Sequence, residues 1–162
     1  LTWGNHDLSA EENPAEAAAI VQRFAEREIR VLVNQTVRLA GAVIYGAPYS
    51  NPFGDWAFMP TEAAQDNLFA NIPDDADVVF THGPPFGYGD CVVSGQDVGS
   101  VALLNRLWYV RPRYAFCGHI HEAHGRYKVD WGPDSLRETV VFNVSVLDEK
   151  YRVRNLPVVV DL

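Results

Sequence analysis

Two short apolar stretches constrain this chain more than any other feature. Asp77-Val78-Val79-Phe80 leads into Thr81-His82-Gly83-Pro84-Pro85, and Tyr114-Ala115-Phe116-Cys117 leads into Gly118-His119-Ile120-His121. Each stretch is rich in β-branched or aromatic residues, and each follows a segment with helical spacing. Strands entered from helices in this way predict an α/β layered core. Ligands in such folds gather at the carboxyl ends of strands. The histidines therefore sit where a site is expected.

The remaining elements follow from local pattern. Asn13 as N-cap, Pro14 at the first helical position and Glu16 two residues on predict a helix, with Ala17, Ile20, Val21 and Phe24 as its apolar stripe and Glu26 to Glu28 closing it. Val31 to Val33, Thr36 to Leu39 and Ala42 to Tyr45 read as strands, the last two joined by a turn at Ala40-Gly41. Residues 46–60 and 83–99 read as long loops, the first punctuated by Gly and Pro and interleaved with Tyr49, Phe53, Trp56 and Phe58. Such a loop either lines a site or covers a small satellite core. Helices are expected over 61–70 and 100–110, the latter with Val101, Leu104 and Trp108 at helical spacing, and final strands over 139–144 and 157–160.

At 162 residues the chain has the size of one domain, and its 48% hydrophobic content suffices for a packed core. The net charge of -8 argues against a duplex nucleic-acid partner. It leaves a small phosphate ester open, because bound cations reverse the local sign. No apolar run is long enough to span a bilayer. Cys91 and Cys117 are too few for a disulfide scaffold and fit a reducing, cytoplasmic setting. The first residues lack the basic stretch of a signal peptide and an initiating Met, so we expect a chain that begins inside a longer protein or has lost its start.

Four of the five histidines fall into three motifs: Gly4-Asn5-His6-Asp7, the turn at His82, and Gly118-His119-Ile120-His121. Imidazole and a neutral amide oxygen suit Mn, Fe, Zn or Ni, and Mg less well. His82, His119 and His121 are therefore candidate metal ligands, with Gly118 expected to take the unusual backbone that lets the last two rings converge. The alternative for His82 is a core histidine bonded to backbone. Asn5 and His6 are adjacent, so their side chains diverge. Asn5 can bind a metal while His6 acts as a proton donor to a leaving alkoxide. Asp7 either orients the His6 imidazole or caps the next segment. Glu122 can bond a ligand histidine, His124 can touch a substrate, and Asn143 with Ser145 can position the histidine turn; ordinary turn chemistry explains each as well. Asp90 and Asp97 read as loop caps, and Cys117 as a buried inert thiol.

Taken together, in order and at these spacings, the three motifs resemble the calcineurin-like metallophosphoesterase superfamily. The likeness is closer to its metallophosphoesterase-domain-containing branch, carried by Trp56-Ala57-Phe58, Thr81 to Asp90, Gly118 to Gly125, Asn143-Val144-Ser145 and Pro157 to Asp161. The resemblance implies a sandwich of two mixed β-sheets flanked by helices. It implies that residues 1–162 are the C-terminal part of a single phosphoesterase domain that hydrolyses phosphodiesters, cyclic nucleotides among them. Asn5, His82 and His119 would bind one divalent metal ion and His121 a second. His6 would be the general acid and Asp7 its support, while a metal-bridging hydroxide attacks phosphorus in line.

The family's first two blocks, Asp-x-His and Gly-Asp, stand upstream of Gly-Asn-His, where this sequence has only Leu1, Thr2 and Trp3. The expectation is that about 40 to 70 further residues carry them, along with about two central strands. Without them the chain should hold at most one metal, weakly, and should expose sheet edges open to self-association or to a complementing N-terminal segment. The competing expectation is an inactive or truncated phosphoesterase-like scaffold that binds protein. A structural zinc domain fits poorly, because its ligands are cysteine-rich and close in sequence.

Overall fold

The computed structural model describes residues 1–133 and 137–162. A mixed six-stranded sheet forms its centre, with strands Gln35–Leu39, Ala42–Ala47, Val78–Thr81, Tyr114–Cys117, Thr139–Asn143 and Gly125–Val129 side by side in that order. β1 (Gln35–Leu39) and β2 (Ala42–Ala47) make an antiparallel hairpin. Its two-residue turn puts both Ala40 (φ 51) and Gly41 (φ 88) in the left-handed region, the geometry that matches strand twist. β2, β3 (Val78–Thr81), β4 (Tyr114–Cys117) and β6 (Thr139–Asn143) run parallel. β5 (Gly125–Val129) closes the far edge antiparallel to β6. The four parallel strands carry apolar residues on both faces.

One face is covered by α3 (Glu62–Phe69) and α4 (Val101–Val110). Phe69, Leu103, Leu107 and Val110 pack on Tyr45, Val79, Ala115 and Val141. Ser100 caps α4, its hydroxyl accepting the Leu103 amide at 3.0 Å and donating to Gln65. The sequence reading noted Val101, Leu104 and Trp108 at helical spacing. Leu103, Leu107 and Val110 are the buried residues of the helix, while Val101 and Trp108 are exposed. Both sets have helical spacing, and the all-aliphatic set takes the core. Arg111 ends the helix in a left-handed conformation, φ 52.

The opposite face carries Leu32, Ile44, Val78, Phe116, Val140 and Phe142. Phe80, Phe116 and Phe142 stack across three strands with ring centroids 4.9 and 5.4 Å apart. A cavity of about 760 Å³ lies between this face and the N-terminal residues, walled mostly by apolar side chains such as Trp3, Ile44, Phe80 and Phe116. Thus the α/β class, mixed sheet and flanking helices are as expected, and the described residues build a single sheet.

Several elements differ from the sequence reading. Residues 31–33 form no strand; Glu28 and Asn34 bracket them with positive φ, and the Leu32 amide donates to the Leu1 carbonyl. Residues 157–160 join no ladder; Val158 and Val160 lie on the apolar sheet face, and the Tyr114 hydroxyl donates to the Asp161 carbonyl. β5 and the short helix α1 (Leu8–Glu12) were not anticipated. α2 (Pro14–Ala25) begins at Pro14 as predicted, but the Asn13 side chain bonds Glu16 rather than capping the backbone. No helix among the described residues is long and apolar enough to cross a membrane.

Candidate metal centre

The carboxyl ends of β3 and β4 deliver His82 and His119 to one place. The Gly118 amide donates to the His82 carbonyl at 2.9 Å, which locks the two strand exits together. The unusual backbone sits at His119 itself, φ 66, and not at Gly118 as the sequence suggested. A left-handed histidine is uncommon and costs about 1 kcal/mol or more. It persists because the turn around it is tied from three sides.

That tie is Asn143, fully buried at the end of β6. Its amide nitrogen donates to the carbonyls of Gly89 and Ile120, both at 2.8 Å, and its oxygen accepts the Ser145 amide at 3.0 Å. The loops after β3, β4 and β6 therefore meet on one side chain. Asp90 holds the first of these loops, its buried carboxylate accepting the amides of Gly87 and Gly99. Burial, then the Asp90 charge, pushes the Cys117 thiol up, so it stays protonated and inert.

The third contribution comes from the Gly4–Asp7 turn. His82 Nε2 lies 2.7 Å from Asn5 Oδ1 and 3.1 Å from His119 Nδ1. The amide oxygen only accepts, so the Nε2–H tautomer of His82 would bridge Asn5 and His119, whereas the Nδ1–H tautomer turns the same nitrogen's lone pair toward a cation. Two imidazole nitrogens and an amide oxygen thus face one another. Ligands at 2.0 to 2.2 Å from a common ion at tetrahedral or octahedral angles stand about 2.8 to 3.6 Å apart. The observed spacing is close to that range, and the donor set suits a borderline divalent ion. Asn5, His82 and His119 are thus the residues that would hold one cation, judged by their donor chemistry and the 2.7 and 3.1 Å separations from His82 Nε2. Among the described residues, no group of three His, Cys, Asp or Glu side chains forms a metal cluster by itself. The amide is needed to make the set.

Electrostatics favours the metal-ready state. Burial, followed by the neighbouring His119, His6 and His121, pushes the His82 pKa down to about 3. Burial and the same crowding lower His119, partly opposed by Glu122. Both rings are neutral near pH 7, with lone pairs available.

The other predicted residues are placed as follows. His6 is exposed, its ring centroid 4.6 Å from that of Trp56. Asp7 does not bond the His6 ring; its carboxylate accepts the Gly4 amide at 2.7 Å and braces the turn. A carboxylate this close to its own turn finds the backbone donor first. His121 stands in a short 3₁₀ turn, its Nδ1 3.2 Å from the Asp148 carbonyl. Glu122 accepts the Val93 amide at 3.0 Å rather than bonding a ligand histidine, and so pins the loop after β3. His124 is partly buried, with no hydrogen-bond partner at Nδ1 among the described residues. Ser145 Oγ is likewise without one. Sequence reasoning did not identify Asp148 or Tyr151 beside His121, or Gly4 beneath His82. A Cβ on Gly4 would stand 2.6 Å from the His82 ring, which explains the glycine.

No family model matches the chain. It is 34% identical over 133 residues to the UPF0046 protein T07D4.2 of Caenorhabditis elegans, covering 81% of this chain and 32% of that protein. It is 37% identical over 134 residues to metallophosphoesterase domain-containing protein 1 of Homo sapiens, covering 81% of this chain and 39% of that protein. The chain thus spans about a third of the length of these curated relatives. The crystal structure of TT1561 of Thermus thermophilus shares the fold, with a TM-score of 0.58 at 14% identity over 89% of this chain and 61% of that one. Over 81% of its own length, then, the chain is similar to proteins named UPF0046 and metallophosphoesterase domain-containing.

Proposed function

We propose that this chain is the C-terminal part of a metal-dependent phosphoesterase that hydrolyses phosphodiesters, cyclic nucleotides among its candidate substrates. The observation that carries the reading is the approach of Asn5 Oδ1, His82 Nε2 and His119 Nδ1 to within 2.7 and 3.1 Å along the set. These three would hold one divalent cation of the Mn, Fe, Zn or Ni type, and His121 would contribute to a second whose other ligands lie outside this chain. Such cations, when bound, supply an activated water and positive charge for a phosphoryl group.

The chain's own residues do the rest. The Asn143 amide and the Gly118–His82 backbone bond hold the ligand-bearing turns before any cation arrives, so little ordering cost attends binding. His6, exposed and in ring contact with Trp56, would give a proton to a leaving alkoxide. The Asp7 carboxylate keeps His6 in place by closing its turn.

The test is hydrolysis of cyclic and linear phosphodiesters by the full-length protein with Mn. Activity abolished by chelation, restored by Mn, and lowered about 10² to 10⁴-fold by His6→Ala with cation binding intact is the expected result. Full cation binding with no hydrolysis of any ester would overturn it in favour of a non-catalytic scaffold.

A further inference from the structure

His121 is held differently from the other three site histidines, and the difference lies in a segment far along the chain. Its Nδ1 faces the Asp148 carbonyl oxygen at 3.2 Å, a partner 27 residues away. A carbonyl only accepts, so this contact requires the proton on Nδ1 and leaves Nε2 as a bare lone pair. The Tyr151 ring stands edge-on to the imidazole, with centroids 5.0 Å apart and planes at 78°. One loop therefore supplies both the contact that sets the tautomer and the wall that limits ring rotation.

The loop is built to hold that carbonyl still. The Asp148 carboxylate is buried, and it accepts the amides of Lys150 and Arg152 at 2.9 and 3.1 Å. It also takes the Arg152 guanidinium in a two-pronged pair, at 2.8 and 2.6 Å. The Asp148 amide donates to the Arg152 carbonyl at 2.9 Å, and the Tyr151 amide returns to the Asp148 carbonyl at 2.9 Å. That oxygen thus uses one lone pair on its own turn and one on His121. Tyr151 sits at φ 58, a conformation a tyrosine adopts only when its surroundings enforce it. Asn155 closes the base of the loop through the Ser145 carbonyl at 2.8 Å. An exposed loop with no task has little reason to concentrate this many bonds on one carboxylate.

We propose that residues 145–155 form a positioning device for His121, in which the Asp148 carbonyl fixes the Nδ1–H tautomer and Tyr151 fixes the ring, so that Nε2 is presented to the second cation. Asp148 and Tyr151 act here as positioning residues, through their contacts with His121. The inference rests on the proposed two-cation reading for what Nε2 binds, but not for the tautomer itself.

The two are separated by reading the imidazole nitrogens by ¹⁵N NMR in the metal-free, full-length protein, and then titrating with Mn by calorimetry. The expected result is an Nδ1–H tautomer at His121, shifted toward Nε2–H by Asp148→Ala and largely restored by Asp148→Asn, whose oxygen can still accept the loop amides. The affinity of the second Mn should fall about 10 to 100-fold in Asp148→Ala, with the first site unchanged, the usual penalty for losing the partner of a ligand histidine. Should that variant not fold, Arg152→Gln removes only the outer pair and is expected to give an intermediate shift. An Nε2–H tautomer in the wild type, or a tautomer indifferent to these changes, overturns the proposal. Uptake of fewer than two Mn ions by the wild type would instead sink the two-cation reading, with the tautomer still deciding the role of the loop.

Discussion

At the scale of single residues, Gly4 and His82 show how tightly the centre is specified. Gly4→Ala would drive a methyl into the His82 ring, whose Cε1 and Nδ1 stand 2.6 and 2.7 Å from the position of the new carbon. The least costly response is a turn of the ring, which moves Nε2 off the Asn5–His119 set. We expect a stability loss of about 1 kcal/mol and a cation affinity loss of about tenfold or more. Urea unfolding and calorimetric titration of the same variant measure the two. The depressed His82 pKa also predicts a pH response. The unfolded chain takes up a proton near pH 6.5 and the native ring only near pH 3, so between those values the unfolded state binds more protons. The contribution to stability is therefore complete above pH 6.5 and lost as pH falls toward 3. Unfolding midpoints of the metal-free protein should fall across that window, with a shallower slope in His82→Asn.

At the scale of elements, the site depends on three strand exits meeting on Asn143. Truncation to Ala would strip the partners from the Gly89 and Ile120 carbonyls and the Ser145 amide, all at buried positions. Each unsatisfied group costs about 1 to 3 kcal/mol. We expect Asn143→Ala to lose about 2 to 4 kcal/mol, water entering to satisfy part of the deficit. Hydrogen exchange should rise first in residues 118–123, before the sheet itself opens. Equal acceleration along β3, β4 and β6 would mean that the side chain stabilises the sheet and not the turn. The sequence hinted at this role, since Asn143 and Ser145 follow a strand. It could not show that one amide spans loops 54 and 23 residues away.

At the scale of the whole molecule, two faces of one sheet have different environments. α3 and α4 bury one, while the stacked Phe80, Phe116 and Phe142 border the 760 Å³ cavity on the other. The candidate centre lies at the end of that cavity, with Asn5 and His6 contributed by the N-terminal turn and His82 by the sheet. Cation binding should therefore couple the N-terminal turn to the sheet and raise global stability. At a free concentration one hundred times Kd the gain is about 2.7 kcal/mol per site. Thermal unfolding of the full-length protein with Mn and with chelator measures this. Identical melting temperatures at saturating Mn would mean that no folded-state cation site exists.

The sequence by itself determined the elements whose signals are local. Pro14, the Ala40-Gly41 turn, the apolar runs of β3 and β4 and the histidine turns that follow them are all where period and turn chemistry put them. The three histidine motifs were legible for the same reason, because each is a contiguous run, and those at His82 and His119 follow recognisable strands. Tertiary structure alone decided matters that depend on competition between distant groups. α4 offered two apolar stripes of equal periodicity, and packing on the sheet chose Leu103, Leu107 and Val110. The left-handed residue fell on His119 and not on the adjacent glycine, because the bonds converging on that turn outweigh the preference of a single residue. β5 took its place only by pairing with β6, and residues 157–160 had strand-like composition but no neighbouring edge to pair with. Asp148 and Tyr151 reach His121 across 27 and 30 residues, a relation no local pattern records, because it exists only once the last loop has folded back over the strand ends.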